Sequence, residues 1–134
     1  MAYTYSSLLV HYVFAVRGRQ NLLLPPWRKD VFKYISGIIE GKNQKSIIVN
    51  GVSDHVHALV GLSPSMRVSD LVRDMKNNSS NYINHYCGLN GRFSWQEGYG
   101  AFSLSKSEMG RVYDYISNQE LHLNQKSFKP GLRN

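Results

Sequence analysis

The sequence predicts an α+β domain, a mainly antiparallel sheet with helices packed against it. Three observations carry that prediction. Segments rich in β-branched and aromatic residues alternate along the chain with segments of helical period. Two of the strand segments are joined by only a short turn, which makes them an antiparallel pair. The chain has 134 residues, 42% of them hydrophobic, enough for one real core and too few for two comfortable ones. Residues 1–134 therefore read as a single domain.

The elements follow in order. "YSSLLVHYVFAV", Tyr5–Val16, is β-branched and aromatic and reads as the first strand. "NLLLPP" turns the chain, and Pro25-Pro26 stand where a helix can start. Trp27, Val31, Tyr34, Ile35, Ile38 and Ile39 recur at helical spacing, with Gly41 placed to close that helix. "KSIIVNGV", Lys45–Val52, and "SDHVHALVGL", Ser53–Leu62, are strands joined around Ser53-Asp54. "SPSMR" breaks the chain and caps a long amphipathic helix, Arg67–Tyr86, whose apolar face is Val68, Leu71, Val72, Met75, Tyr82, Ile83 and Tyr86. "FSWQEGYGAFSL" is a further strand. Ser105 and Glu108 then form a capping box that opens a last helix, expected to run to about Leu123.

The composition narrows the function classes. A net charge of +7 favours a polyanionic partner, most simply nucleic acid. The cations are scattered along the chain, which disfavours a membrane-surface helix. The single cysteine, Cys87, excludes an intrachain disulfide, argues against a structural zinc cage and suits a reducing cytoplasm. The start lacks the basic region of a signal peptide, and its apolar run is broken by His11. No stretch approaches the roughly 20 apolar residues of a membrane span. The expected location is cytoplasmic.

Two constellations stand out. On a strand, His55, His57 and Leu59 share one face while Val56, Ala58 and Val60 share the other. His-x-His then becomes two neighbouring imidazoles, a good pair of metal ligands, though two ligands need a third from elsewhere. Two hydrogen-bonded or surface histidines would give the same pattern. The zinc-hydrolase pattern His-x-His-x-Asp-His is absent, because Leu59 and Val60 occupy the places of its acid and third histidine. The second constellation is "MGRVYDYISNQELHL". Met109, Val112, Tyr113 and Ile116 gather into an apolar stripe that places Tyr113 in the core. Tyr115 lies about 110° from the stripe's centre by the same arithmetic. Gln119 is one turn further on, and His122 falls on the same side. By itself Tyr115 reads as an amphipathic surface tyrosine and Gln119 as a solvated helix residue. Glu120 falls close to the stripe. Gly110 costs helix stability and marks either close packing or a flexible point.

These blocks together resemble the single-tyrosine HUH transposases of the smallest insertion sequences, including the REP-associated tyrosine transposases. "HUH" denotes His-hydrophobic-His, here His55-Val56-His57. "HYVFAVRGR", "DHVHALV", "LVRDMKNNSS", "FSWQEGYGAFSLS" and "YISNQE" match in order and cover nearly the whole chain. Ala58 stands where relatives usually carry a larger aliphatic residue.

The resemblance implies a ferredoxin-like, RRM-like HUH endonuclease fold. It also implies cleavage and rejoining of single-stranded DNA at hairpin-bearing element ends through a 5′-phosphotyrosine intermediate. On this chain Tyr115 matches the nucleophile, His55 and His57 match metal ligands, and Gln119 matches the third ligand. The family's ion is Mg²⁺ or Mn²⁺, whereas two imidazoles on ligand chemistry alone suit Mn²⁺ or Zn²⁺ better. The resemblance further implies a homodimer in which the tyrosine helix of one subunit can complete the histidine site of the other. Gly98 and Gly100 lend freedom to the segment leading into that helix. Arg17, Arg19, Arg67, Arg73 and Lys76 are candidates for phosphate contacts, with Lys126, Lys129 and Arg133 in the tail. A catalytically inactive hairpin-binding relative and a phosphodiesterase that uses water are the competing readings.

Overall fold

The computed structural model describes residues 8–119. Strand β1 is Leu9–Ala15, helix α1 Pro25–Gly41, strand β2 Lys45–Gly51 and strand β3 His55–Gly61. Helix α2 spans Val68–Tyr86, strand β4 Gly100–Leu104 and helix α3 Met109–Ser117. The four strands form one antiparallel sheet in the order β2-β3-β1-β4. This is the α+β, ferredoxin-like arrangement that the sequence and the resemblance lead one to expect. The first strand's expected residues 5–7 lie outside the described residues.

Alternation along the strands builds two different faces. Val10, Tyr12 and Phe14 of β1 and Val56, Ala58 and Val60 of β3 turn towards α1 and α2, and all are buried in one cluster with Val31, Ile35, Leu71, Val72 and Met75. Burying that many aliphatic side chains, at roughly 25 cal/mol per Å², is what holds the helices on the sheet. Trp95 closes the cluster near the end of β1. Its ring stands edge-on to Phe14 and Phe93 at 4.8 Å each, and its indole N–H donates to the buried Ser79 hydroxyl at 3.0 Å. The opposite face carries His11, His55, His57 and Leu59, and α3 lies over it.

Four boundaries differ from expectation, the first being the last strand, which is confined to Gly100–Leu104 while Trp95 makes only an isolated bridge to Val16. Gly41 is the last helical residue of α1 and not the C′ residue beyond its end. The left-handed residue is Asn43, φ 63°, whose short polar side chain tolerates that region. Arg67 stands at the N-cap of α2 without a side-chain cap bond, so "SPSMR" contributes a turn, with Met66 N–H donating to Ser63 O at 3.1 Å, rather than a capping side chain. Helix α3 breaks at Asn118, short of Leu123, and Glu120, His122 and Leu123 lie outside the described residues.

The turn between β2 and β3 is where a glycine is required. A methyl group at Gly51 would fall on the carbonyl oxygen of His55, closer than any real Cβ contact. That tight approach lets Val52 N–H reach His55 O at 3.1 Å, and so fixes where β3 starts.

Candidate active site

The strand register gathers the histidines. His57 lies opposite Val13 and His11 opposite Leu59, so the two imidazoles are diagonal neighbours across β1 and β3. His11 Nε2 and His57 Nδ1 are 2.8 Å apart, a hydrogen bond in which one nitrogen donates and the other accepts. His55 Nδ1 is 2.8 Å from Asp54 Oδ1, and Asp54 Oδ2 accepts from Arg19 Nε at 3.1 Å. The rings of His55 and His57 are 5.0 Å apart and nearly perpendicular.

Helix α3 brings the other two residues. A short 3₁₀ turn, Lys106–Glu108, leads into it, and Glu108 Oε1 accepts from the Ser105 N–H at 2.9 Å and from the Ser105 hydroxyl at 3.0 Å. The expected Ser-x-x-Glu contact is therefore present. Ile116 is fully buried and anchors the helix on the sheet. Asn50 of β2, opposite His57 in the register, donates from Nδ2 to Ile116 O at 2.9 Å. That bond ties a carbonyl at the end of α3 to the strand beside His57.

Docked this way, Tyr115 sets its ring edge-on to His57, centroids 5.8 Å apart at 84°. Gln119 is buried, its Nε2 donates to Tyr115 O at 3.1 Å, and its carboxamide lies close enough to His57 to favour the protonated ring. His55, His57, Tyr115 and Gln119 thus come together within one chain. One expectation fails. Tyr113 is not core: it is 42% exposed, about as much as Tyr115 at 44%. The helix rests on Ile116 and Gln119, so its packed side is rotated away from the centre of the Met109, Val112, Tyr113 and Ile116 stripe.

Burial dominates the electrostatics. It pushes the His57 pKa down to about 3, helped by the neighbouring His55 and His11 and opposed by Gln119. It also lowers His11. Burial pushes Asp54 up, but His55 and Arg19 outweigh it and leave the carboxyl below its usual range. His57 is therefore neutral at pH 7 and Asp54 ionised. An open cleft of about 550 Å³ adjoins, lined by His11, Arg111, Val112, Asp114, Tyr115 and Asn118.

The residues fit a divalent ion. His57 Nε2 is buried and has no hydrogen-bond partner of acceptable geometry among the described residues. A buried ring nitrogen left in that state is costly unless something binds it. His55 has its Nδ1 committed to Asp54, which leaves Nε2 for a ligand, and Gln119 offers an amide oxygen. His55, His57 and Gln119 could hold the ion, and the two nitrogens favour a softer ion than Mg²⁺.

His11 was not among the site residues read from the sequence. Its one signal was that it interrupts an apolar strand, the same signal that marks His55 and His57. The cationic candidates are spread out. Arg17 is exposed in the 3₁₀ turn after β1, at the His55 end of the sheet, where Val16 N–H reaches Asp54 O at 2.9 Å. Arg67 and Arg73 belong to the α2 side of the sheet, opposite α3, and Arg73 pairs with Asp70 and Asp74. Lys76 donates to Gln96 O at 2.8 Å and Gly98 O at 2.9 Å, and burial lowers its pKa against the opposing effect of Glu97. Lys126, Lys129 and Arg133 lie outside the described residues.

Comparison with known proteins gives the family. A family model described as "Transposase IS200 like" matches residues 4–119. The transposase for insertion sequence element IS200 of Salmonella typhimurium is 27% identical over 124 residues, covering 89% of this chain and 81% of that protein. The IS200 transposase of Salmonella typhi matches to the same extent. Among solved structures, a candidate transposase from Deinococcus radiodurans R1 superposes with a TM-score of 0.69 at 20% identity, covering 89% of this chain and 96% of that one. A REP-associated tyrosine transposase bound to a REP hairpin gives 0.66 at 18% identity, covering 91% and 72%.

Proposed function

Because the chain belongs to the IS200-like transposase family, we propose that it cuts and rejoins single-stranded DNA through Tyr115. The observation that carries this is the convergence of Tyr115 and Gln119 on His57, with a phenol ring 5.8 Å from an imidazole whose buried nitrogen lacks a partner.

Tyr115 Oη attacks the scissile phosphorus. A P–Oη bond forms, the bond to the 3′ oxygen breaks, the phenol proton leaves to solvent and the departing oxygen takes one up as a 3′-OH. The product is a 5′-phosphotyrosine, and a second strand's 3′-OH reverses the step. Because each bond formed replaces one of the same kind, no energy cofactor is needed. A phenol is a weaker nucleophile than its phenolate, so the phosphate must be made more electrophilic. A divalent ion, Mg²⁺ or Mn²⁺, held by His55, His57 and Gln119 would supply that by drawing charge from a non-bridging oxygen. Gln119 also fixes the helix turn that carries Tyr115, through its bond to Tyr115 O.

Hairpin-bearing DNA is the proposed substrate, supported by the structural neighbour bound to a REP hairpin. Of the cationic candidates, Arg17 stands at the histidine end of the sheet and is favoured for a phosphate contact. A homodimer belongs to the same reading. Strand β4 is an outer strand with Ala101, Phe102 and Ser103 exposed, an edge that a second copy can pair with. The histidines are already covered by α3 of their own chain, so assembly of the site within one subunit is the simpler arrangement.

The test is covalent trapping on a hairpin-bearing single strand. Wild type and Tyr113→Phe should give a protein–DNA adduct with Mn²⁺, and Tyr115→Phe should give none. An adduct from Tyr115→Phe, or its loss only in Tyr113→Phe, would refute the assignment. Hairpin binding with no adduct from any form would establish the inactive relative instead, and cleavage without an adduct the water-using phosphodiesterase.

A further inference from the structure

The hydrogen bonds behind the two histidines are not alike. His55 Nδ1 meets a carboxylate that is ionised at neutral pH and can only accept, so His55 carries its proton on Nδ1. His57 Nδ1 meets another imidazole, His11, at 2.8 Å. A neutral imidazole can donate or accept, so two arrangements of one shared proton are open at this contact. In one, His57 Nδ1–H donates to His11 Nε2 and the His57 lone pair lies on Nε2. In the other, His11 Nε2–H donates to His57 Nδ1 and the proton of His57 sits on Nε2, a buried atom with no acceptor of good geometry among the described residues. Only the first arrangement leaves a lone pair on Nε2, where an ion shared with His55 and Gln119 would bind.

We propose that His11 is a positioning residue: its Nε2 accepts the His57 Nδ1–H and so leaves the lone pair of His57 on the buried Nε2, available to the ion. It does for His57 what Asp54 does for His55. Imidazole ligands are oriented in this way by whatever accepts from their second nitrogen, and loss of that acceptor weakens metal binding. The difference is that Asp54 brings a negative charge, backed by Arg19 at 3.1 Å, whereas His11 brings none. His11 also lines the cleft beside Tyr115, so any change of its ring orientation is felt where substrate would lie. This inference rests on the metal site of the proposed function.

Nitrogen-15 spectra of the imidazoles in metal-free protein test the proton directly. In wild type His57 should be protonated at Nδ1. His11→Leu fills the space without an acceptor and should move the proton towards Nε2, whereas His11→Gln, which keeps an acceptor, should leave it on Nδ1. Titration of Mn²⁺, followed by the electron paramagnetic resonance of the free ion, should show about 10- to 100-fold weaker binding by His11→Leu and no more than about threefold by His11→Gln. Thermal unfolding of both variants identifies any loss that reflects misfolding, and the tautomer of His57 in wild type needs no variant. Protonation of His57 at Nε2 in wild type, or wild-type tautomer and Mn²⁺ affinity in His11→Leu, overturns the role of His11 and leaves the metal site standing. Equal Mn²⁺ binding by wild type and His57→Ala overturns the metal site and this role with it, whatever the tautomer.

Discussion

His57 is the most constrained side chain of the site, and its cost is measurable. Burial holds its folded pKa at about 3, against 6.5 for an unperturbed imidazole. Above pH 6.5 neither folded nor unfolded chain protonates it, and stability is complete. As pH falls below 6.5 the unfolded chain takes up a proton that the folded chain refuses, so stability declines until about pH 3 and is then level with respect to this group. At pH 5 the loss amounts to about 2 kcal/mol, and His11, shifted in the same direction, adds to it. Urea midpoints at pH 7 and pH 5 should show this, and His57→Gln should flatten the difference. An unchanged difference in that variant would mean that the imidazole is not held neutral. The interval from pH 5 to pH 7 lies above the range where Asp54 and Glu108 titrate, since both are shifted down. Much of this residue's setting was legible in the sequence. The parity of a strand put His55 and His57 on the side away from Val56 and Ala58, and there they are. What parity could not reveal is the partner of His57, because His11 is 46 residues away and only the register of β1 against β3 makes them neighbours.

Helix α3 carries the proposed nucleophile on slender support. Its own side chains contribute Ile116 to the buried interior, and Asn50 adds the bond to Ile116 O at 2.9 Å. Asn50→Ala should cost about 1 kcal/mol, because it removes a side-chain donor from a helix-end carbonyl. The cost should be concentrated locally, as faster hydrogen exchange of α3 amides and a slower rate of adduct formation, with β1 and β3 exchange unchanged. Equal exchange throughout would show that Asn50 does not fasten the helix. The periodic pattern located α1, α2 and α3 correctly, yet it misjudged which side of α3 is packed. In α2, nineteen residues long, the stripe through Leu71, Val72, Met75 and Ile83 repeats often enough to define its direction. Helix α3 has nine residues and little more than two turns, so a single anchor, Ile116, decides the orientation and Tyr113 is left outside. The end of α1 was misread for a related reason. Both Gly41 and Asn43 can stop a helix, and only the backbone, left-handed at Asn43, distinguishes them.

For the molecule as a whole, a net charge of +7 bears on binding before it bears on chemistry. Affinity for a DNA hairpin should fall steeply with salt, as counterions released on binding are returned. Arg17→Ala should reduce the slope of log affinity against log salt by about one, while Tyr115→Phe leaves it unchanged. An identical slope in Arg17→Ala would remove that residue from the contact surface. The charge itself was plain in the composition. Its distribution was not, because Arg73 answers to Asp70 and Asp74 and Lys76 to two carbonyl groups, pairings that only the folded chain discloses. The placement of Tyr115 and Gln119 on a single short arm has one more consequence. Ring and carboxamide reach the histidines together and depart together. On the proposed chemistry, a chain still being made, or one partly unravelled, can grip DNA but holds no blade, and a host genome is spared stray nicks from every molecule that has not finished folding.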